Sequence, residues 1–166
     1  MSVKFLNRTI WQRLFGIPAT KESKNKNSWT YHSGELIIHL DRVPALKEPG
    51  SAIRFEGAAL PVRVLVVFDE NEQFHAFHNR CTHFGHRRLD YVGGTDTIQC
   101  CSINKSTYTF SGKKNSWSKS KTGCYLPCGK RWGQAAYQVE LKNAFSNLIF
   151  SHDLFYILRF HGFING

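Results

Sequence analysis

An all-β fold, built as an antiparallel sandwich or barrel with a short helix ahead of it, is what this sequence predicts. Two observations carry that expectation. Short segments rich in Val, Ile, Phe and Tyr recur at close spacing from Trp29 onward. Turn residues separate them, most clearly Asp69-Glu70-Asn71-Glu72 between two apolar runs. A third observation places the chemistry: Cys81-Thr82-His83 stands one strand ahead of Cys100-Cys101.

Taken in order, residues 2–15 predict a short amphipathic helix. Leu6, Ile10 and Leu14 fall four apart, and Trp11 and Phe15 sit beside the last two. Gly16 and Pro18 stop it. Residues 20–28 are polar and linker-like. Glu35–Leu40 and Ala52–Phe55 read as strands around a turn segment, 41–50, that holds Pro44, Pro49 and Gly50. Val62–Phe68 is a buried strand, since Val suits a pleated, packed surface. Gln73–His78 returns from the Asp69 turn. Strands follow at Thr97–Cys100 and Ser106–Phe110. Residues 111–134 are rich in Ser, Lys and Gly and read as a long loop. Ala136–Leu141 and Phe145–Phe150 read as a hairpin turning at Lys142-Asn143. The aromatic tail, 151–166, carries no assignment. The expected organisation is 1–28 helix and linker, 29–150 domain, and 151–166 tail.

Composition narrows the class. Apolar residues make up 42% of 166 and aromatics 14%, enough to bury a core and exclude a wholly disordered chain. The formal charge is +10. Its early members (Lys4, Arg8, Arg13, Lys21, Lys24, Lys26) and late ones (Lys105, Lys113, Lys114, Lys119, Lys121, Lys130, Arg131) read as solvated surface. Their sharper reading is steering toward an acidic protein or an anionic membrane. No nucleic-acid recognition module is visible, so nucleic acid is not an expected partner. No segment approaches the ~18 apolar residues of a membrane helix. The first residues lack the apolar core of a secretory signal. A cytoplasmic, reducing location is therefore expected, in which Cys81, Cys100, Cys101, Cys124 and Cys128 serve metal or redox chemistry rather than disulfides.

A Cys-x-His pair aims one thiolate and one imidazole at the same centre. Cys81 and His83 form that pair, and Cys100-Cys101 supply a second station after the strand. A structural zinc on Cys81, His83 and later cysteines is one chemically reasonable use. His86 is a further candidate beside them. His32, His39, His75 and His78 read as ordinary strand residues, and the spacing of Cys124 and Cys128 says little by itself.

The order Cys-x-His-x-Gly-x-x-Leu, an intervening strand, then Cys and an aromatic strand resembles the Rieske iron–sulfur family. The resemblance runs from about Gly34 to Phe150, and 81–112 would be its small cluster-binding subdomain. It implies a Rieske-like antiparallel fold. It also implies a [2Fe–2S] cluster in which two Cys hold one iron and two His the other. By resemblance Cys81 holds the first iron and His83 the second. Two alignments of the second station are open. Cys101 as ligand puts Tyr108 at the family's aromatic position and Asn104 at its second His, and this alignment is preferred. Cys100 as ligand improves the match of Gly112 and puts Ile103 at that His. Either way the second His is absent, so the cluster binds with an altered fourth ligand, or weakly, or not at all. His86 and Ile103 stand where one subgroup has a disulfide, so that bridge is excluded. The resemblance implies an electron carrier serving a reductase or oxygenase, docked to an acidic redox partner. A clusterless accessory module of the same fold is the alternative. Peripheral membrane contact through the first helix is a further open partner. An independent enzyme is not expected: no Gly-x-Ser-x-Gly, phosphate loop or dinucleotide fingerprint is present.

Overall fold

The computed structural model describes residues 4–33, 35–81 and 87–111, together with the strand backbones at 114–115, 136–137, 139–140 and 155–159. The strands are β1 (Trp29–His32), β2 (Glu35–His39), β3 (Ser51–Phe55), β4 (Val64–Phe68), β5 (Phe74–His78), β6 (Leu89–Tyr91), β7 (Thr97–Cys100), β8 (Thr107–Thr109), β9 (Lys114–Asn115), β10 (Ala136–Tyr137), β11 (Val139–Glu140) and β12 (Phe155–Arg159). Among the described residues they form three four-stranded antiparallel sheets, ordered β1-β2-β12-β11, β10-β5-β4-β3 and β6-β7-β8-β9. The all-β expectation is met.

β4 explains how the sheets share a core. Neighbouring side chains on a strand point to opposite faces. Val64 and Val66 join a core with Leu36, Ile38 and Phe55, whereas Leu65 and Val67 join a second core with Leu89, Ile98 and Tyr108. A strand covered on both faces reads as a continuous apolar run rather than an alternation. Each such buried side chain contributes about 1.5–3 kcal/mol. β5 splits in the same way, with Ala76 in the first core and Phe77 in the second. The hairpin between β4 and β5 is set by Asp69, whose Oδ1 accepts the backbone N–H of Asn71 and Gln73 at 2.9 and 2.8 Å.

Three expectations change. The turn segment 41–50 contains two short 3-10 turns, Leu40–Arg42 and Pro44–Leu46, which bury Leu40 and Leu46. In the unassigned tail, β12 pairs with β2, Phe155 opposite His39 and Arg159 opposite Glu35. β10 pairs with β5 and β11 with β12, while 145–150 lies outside the described residues.

The first helix is the third change. α1 spans Ile10–Leu14 only. Thr9 caps it reciprocally: its Oγ1 accepts the Gln12 N–H at 3.2 Å, and its own N–H donates to Gln12 Oε1 at 3.1 Å. Gly16, at φ +62°, ends it. The segment before Thr9 is not helical because its backbone bonds elsewhere. Leu6 N–H donates to Gln99 Oε1 at 3.4 Å, and Leu6 C=O accepts from Arg13 Nη2 at 2.7 Å. Residues 4–20 thus form a strap across the third sheet. Lys4 Nζ donates to Gly93 C=O at 2.6 Å, and Thr20 N–H donates to Asp90 Oδ1 at 2.8 Å. The expectation that Arg8 and Arg13 are solvated is corrected. Arg8 pairs with buried Asp90 at 2.8 Å, and Arg13 is 3% exposed.

Candidate metal centre

The centre is built where β5 leaves the body and the third sheet begins. Asn79, fully buried, locks that exit: its N–H donates to Arg63 C=O at 2.7 Å, and its Oδ1 accepts the Leu89 N–H at 2.6 Å. Two residues later Cys81 N–H donates to Arg87 C=O at 2.7 Å. That bond ties together the two ends of the loop that carries His83 and His86. Both histidines lie outside the described residues, as do Cys124 and Cys128.

The second station stands against Cys81 and the chain at Arg88 and Leu89. Leu89 lies opposite Cys100 in the β6–β7 register. Cys100 N–H donates to Ser106 C=O at 2.8 Å, and Cys101 N–H donates to Arg88 C=O at 3.0 Å. Cys81, Cys100 and Cys101 are all buried free thiols. Their side chains diverge, because the pleat sends neighbours to opposite faces. Cys81 and Cys100 share the second core, and their thiols are hydrogen-bonded to each other. Cys101 turns to the other face, where its Sγ donates to Gly16 C=O of the strap at 3.4 Å. The structure therefore brings Cys81 together with Cys100 and not with Cys101, against the preferred sequence alignment. Beyond the second station, Ile103 and Asn104 are both exposed.

Two hydroxyls serve the paired thiols. Tyr108 Oη lies 3.5 Å from Cys81 Sγ, and Cys100 Sγ donates to Ser102 Oγ at 3.2 Å. The hydrogen bond to Cys81, burial and the Cys81 charge together push the Cys100 thiol far up. Burial, with Cys100 and Asp90 nearby, also raises Cys101. Both thiols are therefore held in their neutral form. Among the described residues no group of three or more His, Cys, Asp and Glu is arranged to hold a metal ion. The donor chemistry fits the cysteine half of an iron–sulfur cluster: two buried, adjacent thiols with hydroxyls placed to stabilise thiolates.

A carboxylate anchors the start of the third sheet to the body. Arg88 donates to Glu56 through Nε at 2.7 Å and Nη2 at 2.6 Å, and Arg54 of β3 also bonds Glu56 Oε1. Burial opposes ionisation of Glu56, yet the hydrogen bonds and charges of Arg88 and Arg54 outweigh it and hold its carboxyl below the ordinary value of 4.5. A depressed carboxylate contributes stability that is complete above its unfolded value and is lost as pH falls through the folded one. Asp69 is depressed too: burial opposes its ionisation, and hydrogen bonds from the Gln73 and Asn71 backbone and from His75 prevail. Melting temperature should therefore fall as pH drops below about 4.5, the ordinary carboxylate range. In Glu56→Gln that acid-side slope becomes shallower. An unchanged slope would remove Glu56 from this role.

Sequence reasoning missed the strap's part in the centre. Asp90, Arg8, Gly16 and Arg87 hold it against the third sheet and the second station. Arg87 donates to Phe15 C=O at 2.8 Å. A Cβ at Gly16 would collide with the Arg87 side chain. Gly16 was readable only as a helix stop, since the positive φ gives no sign of what packs against it.

A protein-family model described as a Rieske [2Fe-2S] domain matches residues 39–126. The match begins at the last residue of β2 and includes both cysteine stations. No curated protein matches the chain. No helix among the described residues is long and apolar enough to cross a membrane.

Proposed function

Because this chain belongs to the Rieske [2Fe-2S] domain family, we propose that it is a single-electron carrier, not an independent enzyme, and that it serves an acidic redox partner. The mutual contact of the buried Cys81 and Cys100 thiols carries the reading. These two residues would hold one iron and His83 the other, with Cys100 taking the place that the sequence alignment gave to Cys101. When bound, a [2Fe–2S] cluster supplies a one-electron couple. Tyr108 Oη and Ser102 Oγ stand where hydroxyl donors offset charge on the cysteine sulfurs. The core residues around the pair, Leu65, Phe77 and Leu89, exclude water from that side. The fourth ligand is not a histidine of the Cys-x-x-His type, since Ile103 and Asn104 occupy both alignments. A ligand set with one imidazole fewer makes the potential differ from that of two-histidine clusters. The +10 charge favours docking on an acidic partner.

The test is electron paramagnetic resonance of protein purified without oxygen. A signal that appears on reduction and integrates to one spin per cluster supports the carrier. Its absence after reconstitution with iron and sulfide rejects it. The clusterless accessory module is the second reading, favoured by the exposed Asn104 and by thiols whose hydrogen bonds are satisfied within the chain. A zinc site would need His83 and a ligand from outside the described residues.

A further inference from the structure

The strap is packed inside out. On one five-residue helix Arg13 is buried at 3% exposure, while Ile10 and Trp11 are 61% and 64% exposed. Phe15 and Ile17 just beyond it are 66% and 51% exposed. A helix on a soluble domain ordinarily does the reverse. Among the described residues every exposed large hydrophobic lies in the strap, apart from Ile103 in the second station. Ile103 is continuous with the strap, since Arg13 Nη1 donates to the C=O of its neighbour Ser102 at 3.5 Å. The inward arginines are accounted for by Asp90, Leu6 C=O and Gln99. Of the outward apolar side chains, Trp11 and Phe15 stack on each other with ring centroids 6.2 Å apart, and that contact leaves both exposed.

Charge identifies what covers them. Residues 1–21 contain no Asp or Glu. Lys4 precedes the exposed row, and Lys21, Lys24 and Lys26 follow it, all exposed. Lys105 sits over the Phe5 ring, 5.7 Å from its centroid. Among the described residues none of these lysines forms an ion pair. An exposed row of Trp, Phe and Ile flanked by lysines matches the interface of an anionic bilayer. Lipid accepts loose apolar side chains without a shaped pocket, and each nearby lysine adds attraction to anionic headgroups. A protein partner would instead need a complementary groove.

We propose that the strap is a peripheral docking surface for anionic lipid, seated beside the second cysteine station. The inference does not rest on a bound cluster, because the strap's geometry is set by Asp90, Gln99 and Gly16. The Ile10–Ile17 row enters the headgroup boundary, and the lysines engage lipid phosphates and carboxylates.

The experiment is co-sedimentation of the full chain with vesicles of phosphatidylcholine containing phosphatidylserine, against phosphatidylcholine alone. Binding is expected to the anionic vesicles and to weaken at high salt. Trp11→Ser/Phe15→Ser should lower vesicle affinity roughly tenfold or more. Lys21→Glu/Lys24→Glu/Lys26→Glu should abolish the preference for anionic lipid. These side chains are exposed, so melting temperature checks that each variant is folded. A second double variant, Ile10→Ser/Ile17→Ser, replaces the first if it fails that check. Absence of binding at low salt overturns the proposal. So does binding that the apolar substitutions leave unchanged, or a strap protected only when an acidic protein is added.

Discussion

Cys100→Ser should strip the protein of iron and sulfide, whereas Cys101→Ser should leave both in place. The two residues are neighbours of identical chemistry, and only the pleat separates them. Cys100 Sγ shares a hydrogen bond with Cys81, and Cys101 Sγ donates to the strap at Gly16. A serine oxygen is a far poorer iron ligand than a thiolate, so loading in Cys100→Ser and in Cys81→Ser should fall roughly tenfold or more. Cys101→Ser keeps a donor for the strap carbonyl at Gly16, so its cost to the fold should be no more than about 1 kcal/mol. Melting temperatures of the metal-free variants separate a lost ligand from a lost fold. Equal loading in Cys100→Ser and wild type would refute the pairing. Selective loss in Cys101→Ser would return the site to the sequence alignment.

Asp90→Ala should be the most destabilising single change among the contacts that hold the strap. Asp90 is fully buried, and one carboxylate serves both ends of the segment, Arg8 at 2.8 Å and the Thr20 N–H at 2.8 Å. Removing it leaves the Arg8 guanidinium, 4% exposed, without its counter-charge. Breaking a buried pair from one side costs about 3–5 kcal/mol. For a domain of this size the melting temperature should fall by something on the order of 10 °C. Arg8→Met combined with Asp90→Ala should recover part of this, because no stranded charge remains. Recovery should be incomplete, since Thr20 N–H stays unpaired. The released strap should also expose Gln99 and Cys101, so a thiol reagent should label Cys101 faster in Asp90→Ala than in wild type. A melting temperature unchanged in Asp90→Ala would show that the pair contributes nothing to the fold.

The sheet body was legible because its signals are local. The run Val64-Leu65-Val66-Val67 announces a strand buried on both faces, and Asp69 announces the turn that follows. Cys81 stood out in the sequence within Cys-x-His, whose His83 lies outside the described residues. The choice between Cys100 and Cys101 was not legible. It depends on the phase of the pleat, which is fixed by Leu89 standing opposite Cys100 in another strand. The strap was misread for the same reason at longer range. Its 3.6-residue pattern predicted one helix over residues 2–15, but Arg8 finds Asp90 82 residues away, and the helix spans Ile10–Leu14 only. The Phe155–Arg159 strand pairs with β2 across most of the chain, so its apolar run alone gave no partner.

Iron and acid-labile sulfide in the freshly purified, oxygen-protected protein test the central claim most directly. Cys81 and Cys100 facing one centre predict about two iron and two sulfide per chain. Neither element, in fresh protein or after anaerobic reconstitution, would contradict the claim and leave a clusterless module of the same fold.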